Sequence, residues 1–304
     1  MFDNPKKYYS KNRLKIIPDI ITGRETIVVL ITVTLLFALL IWWLNHIPYM
    51  QHIWENFIVD KKVPASFCEQ VDVNNPVRQP VNTFSNIIYL ITAIIILKTI
   101  RNERYINRSD GHLAGSNRYS TLFSFILLYV FGASTFYHAS LISLAHKLDY
   151  SAVFSFTLFP IMFLLNRSWR SRNSLLLKTR KLKSAAIFIS AFMTVNLLVI
   201  FLTPKGKESL VAIILVMIFL GLAIATVLFE QDNPNLNYLI LSISSVLIAV
   251  LWFELDKYKI LCNPASYFQP HSLWNIFIGV SAFYFYLYMR VDTNPGALIV
   301  KMKK

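Results

Sequence analysis

Cysteine is nearly missing from this sequence. Only Cys68 and Cys262 occur, with no C-x-x-C pair and no cysteine spacing suited to a metal, which excludes thiolate-cluster and zinc-finger chemistry. Alternation of apolar and polar residues is also lacking. The apolar runs are continuous, which argues against a membrane β-barrel. No small-residue cleavage site follows the first apolar run. That run is long, so it is expected to stay as an anchor rather than to be removed as a signal peptide. Inverted repeats and paired broken helices are not evident, which disfavours a transporter.

What is present is apolar sequence. Hydrophobic residues make up 55% of the 304, and mean hydropathy is +0.50. Several runs reach the roughly 20 residues needed to cross a hydrocarbon core. The expected class is an all-α integral membrane protein with eight spans: residues 27–44, 81–97, 119–139, 149–165, 185–202, 210–229, 238–253 and 272–289. The chain divides into a basic N-terminus (1–26), a first span (27–44), a long connection (45–80), a membrane domain (81–290) and a tail (291–304). Asn196 is one of few polar residues inside a span.

The formal net charge is +14. On a soluble protein that would point to nucleic acid. Here the basic residues sit in short loops beside apolar runs, so topology accounts for them and no nucleic-acid partner is expected. With the N-terminus cytoplasmic, 22 of the 30 Lys and Arg fall inside and eight outside. Both termini are therefore expected to be cytoplasmic. Compact loops and a basic, uncleaved N-terminus fit a bacterial inner membrane better than an endomembrane. The same topology carries Glu69, Asn82, Ser134, His138, Asp149, His271 and Asn275 to the outer side. Cys68 and Cys262 go with them, to the side where disulfides persist, and are expected to be bonded.

Polar ionisable groups at the edge of a bilayer core are costly and mark function. Ser134 and His138 are one helical turn apart and share a face. Asp149 opens the next span, and His271 and Asn275 repeat the four-residue spacing. Imidazoles are good zinc ligands, and a bound zinc turns water into a nucleophile near neutral pH. Asp149 is placed to move the proton, and Ser134 to donate to a developing oxyanion. Each residue alone has a plainer reading: an interfacial histidine, an aspartate at a helix N-terminus, a serine bonded back to its own helix. Their gathering on one side favours the chemical reading.

Three blocks carry a family resemblance: C-E at Cys68–Glu69 followed by P-V-N-T-F-S-N at Pro80–Asn86; S-x-x-x-H with Asp eleven residues on, at Ser134, His138 and Asp149; and C…Q-x-H-S-x-W-N from Cys262 through Gln269, His271 and Trp274 to Asn275. From Cys68 onward the chain resembles the alkaline ceramidases. They belong to a wider superfamily of seven-helix membrane hydrolases that includes the progestin and adiponectin receptors and GPI-lipid remodelling enzymes. The K-L-D-Y at Lys147–Tyr150 is similar to the GPI-remodelling branch.

The resemblance implies a seven-helix bundle, so the 27–44 span is an added N-terminal helix. It implies a zinc ion, with His138 and His271 as ligands and Ser134 and Asp149 catalytic. It also implies the Cys68–Cys262 disulfide. Asn275 occupies the third ligand position, where the family has His. Three ways of completing the site stay open: Asn275 itself, an outer-loop histidine (His146, His46 or His52), or no metal at all. No calcium site is expected. Only Glu69 matches that family loop, and Ser66, Val71 and Gln79 stand where acidic or Asn ligands belong. The implied activity is hydrolysis of a ceramide-like lipid amide, or an ester, by a metal-activated water, on a two-chain membrane lipid. The rival reading is a non-catalytic lipid-binding or receptor-like relative with a degenerate metal site. Oligomeric state is not legible.

Overall fold

The computed structural model describes residues 23–57, 67–105, 117–172, 181–229 and 236–291. The basic N-terminus, parts of the basic loops with Arg108, Lys178 and Arg180, the turn at 230–235 and the tail with Lys301, Lys303 and Lys304 lie outside the described residues. So do Lys61 and Lys62 of the 45–80 connection.

The described residues form helices and no β-strand. In chain order they are α1 (Arg24–His46), α2 (Pro80–Ser85), α3 (Ile87–Tyr105), α4 (Asn117–Ser140), α5 (Ser143–Arg172), α6 (Lys181–Leu202), α7 (Glu208–Phe229), α8 (Leu236–Lys257) and α9 (Pro270–Val291). Seven stretches are long and apolar enough to cross a bilayer, with α2 and α3 forming one of them. A shorter apolar stretch, Ala186–Leu202, lies in α6. The chain is a multi-pass membrane protein.

Packing follows from which faces are apolar all round. The chief contacts run α3–α4, α4–α5, α5–α7, α7–α8, α8–α9 and α9–α3, which closes a ring, with α6 set against α5. Phenylalanines fill the middle. Phe123 stacks on Phe159 at 4.9 Å, Phe163 meets Phe285 at 5.8 Å, and Phe219 meets Phe285 at 5.9 Å. Phe285, Tyr286 and Tyr288 of α9 are all buried, so the aromatic run of the last span is packing surface.

The first helix packs on the outside. None of its most apolar window is buried. It is pinned at three heights: Glu25 pairs with Lys98 at 3.8 Å, Phe37 meets Phe84 and Phe131, and Asn45 Oδ1 accepts the Val77 N–H at 3.0 Å.

Two prolines set the site end. Pro80 and Pro270 each open a helix at a position where no N–H is needed. The backbone N–H groups of Arg78 and Gln79 bond to the carbonyls of Ala139 and His138 at 3.0 and 3.2 Å, and the Arg78 guanidinium donates to the Ser140 carbonyl at 2.9 Å. The open carbonyls ending α4 are thus satisfied from one segment. Leu141 then takes a left-handed turn, φ 53°, into α5.

Gly279 decides how closely α9 approaches α3. A Cβ there would lie 2.5 Å from Ile88 Cγ1. Ile88 is β-branched and has few rotamers with which to yield. Gly279→Ala is expected to cost about 1–3 kcal/mol, read as a lower thermal midpoint in detergent. Most of it should return in the Gly279→Ala, Ile88→Ala double variant. Strict additivity of the two substitutions would show that the contact is not the cause.

Candidate functional site

The three blocks of the sequence meet at one end of the bundle. His138 closes α4 and His271 opens α9, and their ring centres are 4.9 Å apart. Two imidazoles on one tetrahedral ion, with Zn–N of about 2.1 Å, hold their centres about 5 Å apart. Both histidines are buried. Phe67 lies edge-on to both rings, at 5.1 Å from His138 and 4.5 Å from His271.

The groups behind each imidazole bear on which ring nitrogen is free. Gln79 Oε1 accepts from His138 Nδ1 at 2.8 Å, so Nε2 of His138 carries the lone pair. His138 therefore suits a metal through Nε2. His271 Nδ1 faces Asp256 Oδ2 at 3.7 Å.

The third position differs. Asn275 is buried, and its Nδ2 donates to Ser85 Oγ at 2.9 Å. Ser85 in turn donates to the Asn82 carbonyl at 2.8 Å. The amide is thereby oriented, and only its Oδ1 could ligate. Among the described residues no three His, Cys, Asp or Glu side chains gather as a metal set. His46, His52 and His146 do not complete one. His46 Nδ1 bonds to the Trp42 carbonyl at 2.7 Å, His52 pairs with Glu55 at 2.6 Å, and His146 sits between the rings of Tyr137 and Tyr150. The donor set on offer is two imidazoles and one amide oxygen, not three imidazoles.

Ser134 lies close to Asp149. Asp149 itself is partly exposed.

Cys68 and Cys262 are bonded, joining segments 194 residues apart. The disulfide is flanked by two carboxylates. Asp256 Oδ1 accepts the Cys68 N–H at 2.8 Å. Glu69 accepts the N–H groups of Val81 and Asn82 at 2.7 and 2.8 Å, capping α2 with negative charge. Gln269 knits the second loop, donating through Nε2 to the Ser266 and Asn263 carbonyls at 2.6 and 3.1 Å. Asn82 is fully buried, yet neither its Oδ1 nor its Nδ2 has a hydrogen-bond partner.

The sequence reading did not single out Gln79 as an orienting group, nor Asp256 or Phe67 at all. Gln79 had one usable signal, its place before a helix-opening proline. Asp256 reads in sequence as one of four charges in the run Glu254–Lys259. Only the fold turns it inward, to 2% exposure.

A helical membrane bundle thus carries buried histidines from two helices and a disulfide at one end. Comparison with protein-family profiles matches residues 62–294 to the family described as Ceramidase. The match covers well over half of the chain, and the protein belongs to the ceramidase family, whose members are membrane lipid hydrolases. It begins after α1. No curated protein matches the chain.

Glu69 gives a measurable consequence. Burial, with a smaller push from nearby Asp256, raises its pKa from 4.5 to about 7 against the lowering pull of the Asn82 and Val81 N–H groups. The folded state thus keeps a proton that the unfolded chain releases. Stability from this group falls as pH rises from about 4.5 to about 7, by about 3 kcal/mol in all. Glu69→Gln should flatten that slope in thermal scans between pH 5 and 7.5, while losing one of the two N–H bonds, at about 1 kcal/mol. Equal slopes for the variant and the native protein would assign the pH dependence to other groups.

Proposed function

We propose that the protein hydrolyses a ceramide-like lipid amide, or a related ester of a two-chain lipid, at a zinc ion held by His138 and His271 with the Asn275 amide oxygen beside them. The observation that carries this reading is the histidine pair. Its rings come from different helices at the spacing one ion requires, and each Nδ1 faces an acceptor. When bound, the zinc would supply Lewis acidity and lower the pKa of a water toward neutrality.

The rest of the chemistry falls to the chain. Asp149, close to Ser134 and open on one side, takes the proton from the attacking water and passes it to the leaving nitrogen or oxygen. Phe67 covers the imidazoles and limits stray water. The unpartnered Asn82 carboxamide offers one donor and one acceptor, which suits the polar linkage of a lipid amide. Charge placement supports cytoplasmic termini and an outer-facing site, so the substrate would come from the outer leaflet. The peripheral packing of α1, and a family match that begins after it, support reading residues 27–44 as an addition to a seven-helix domain at 81–290.

One observation favours a second reading. Asn275 is tied to Ser85, and no three-ligand set forms among the described residues. A lipid-binding relative without turnover would look the same there.

Protein purified in detergent without chelator is expected to carry about one zinc per chain, lost in His271→Ala. Asp149→Asn should lower kcat on a lipid amide by about 10²–10⁴-fold, and His138→Ala should abolish turnover. Full turnover in His138→Ala would remove the site. Lipid binding without zinc or turnover would establish the second reading.

A further inference from the structure

A neutral imidazole chooses between two tautomers, and a metal ligand bound through Nε2 must hold its proton at Nδ1. For His138 the choice is made by Gln79. For His271 the environment is different. Its Nδ1 is buried and has no hydrogen-bond partner. Asp256 Oδ2 faces it at 3.7 Å. The other oxygen of that carboxylate is fixed by the Cys68 N–H at 2.8 Å. Asp256 is 2% exposed. A carboxylate buried to that degree is costly unless its charge is used, and the single backbone bond to Cys68 could equally be met by a neutral amide oxygen.

We propose that Asp256 is the positioning residue for His271: anchored through Oδ1 to the disulfide-bonded Cys68, it holds the imidazole proton at Nδ1 through Oδ2 and so turns Nε2 into the site as a ligand. The ligand role of His271 rests on the function proposed above; the tautomer does not. One consequence is architectural. The disulfide reaches the site through a single side chain, from the Cys68 N–H to Asp256 to the imidazole. A carboxylate behind a ligating imidazole also raises its basicity and restricts its rotation.

Asp256→Asn separates positioning from structure. The amide keeps an oxygen for the Cys68 N–H, but turns an NH₂ toward Nδ1, which then prefers to be the acceptor. The full-length protein, labelled with ¹⁵N-histidine, is measured in detergent without metal. It has six histidines, and the His271 signal is assigned by its loss in His271→Ala. The native protein should show His271 as the Nδ1–H tautomer. Asp256→Asn should show Nε2–H, with an unchanged thermal midpoint and disulfide. Zinc affinity by chelator competition should fall by about 10–100-fold in that variant, and Asp256→Glu should recover part of it. An Nε2–H tautomer in the native protein would overturn the proposal without any variant, and so would Nδ1–H with native zinc affinity in Asp256→Asn. If the native protein takes up no zinc, the zinc reading falls, while the tautomer comparison still decides the role of Asp256.

Discussion

The site end of the bundle depends on one two-residue clamp, Cys68–Glu69. Cys68 is bonded to Cys262, and its N–H is held by Asp256 at the end of α8. Glu69 holds the first N–H groups of α2. Three chain ends that a helix bundle would otherwise leave free are thereby fixed in one place. From α2 the constraint passes through Gln79 to His138, and from α8 through Asp256 toward His271. The two imidazoles are oriented from opposite sides by one loop.

This clamp explains how polar groups can be dense at one end of a membrane bundle. Lipid offers no partner to an open carbonyl or N–H, so each must be met within the protein. Arg78, Gln79, Glu69 and Gln269 meet them at the ends of α4, α2 and the loop before α9. Below that layer the phenylalanines of α4, α5, α7 and α9 close the core. The result is a polar cap over an apolar plug. Such an arrangement suits chemistry on a lipid whose polar linkage lies near the membrane surface, and does not suit transport across it.

Asn275 shows how a motif and a site differ. The family resemblance treats it as a histidine replaced. In the fold it is a link in a chain of hydrogen bonds, from its Nδ2 through Ser85 Oγ to the Asn82 carbonyl, that ties α9 to α2. Four-residue spacing places Ser134 beside His138, and the fold also brings it close to Asp149.

The sequence by itself determined the class and the cast. Long continuous apolar runs can only be spans, because a backbone in lipid must satisfy itself as helix. The spans at residues 27–44, 119–139 and 272–289 fall within helices α1, α4 and α9. His138, Asp149 and His271 stood out because charge and polarity are costly at a membrane edge. Cys68 and Cys262 could be paired because both fell on one side. Tertiary structure alone decided which polar residues act on which. Gln79 and Asp256 are 59 and 15 residues from the histidines they face. Neither pairing leaves a periodicity or motif, because a hydrogen bond between helices depends on their rotation and depth. Those are fixed by packing, here by contacts such as Gly279 on Ile88 and by the disulfide, and packing is a property of the folded chain as a whole.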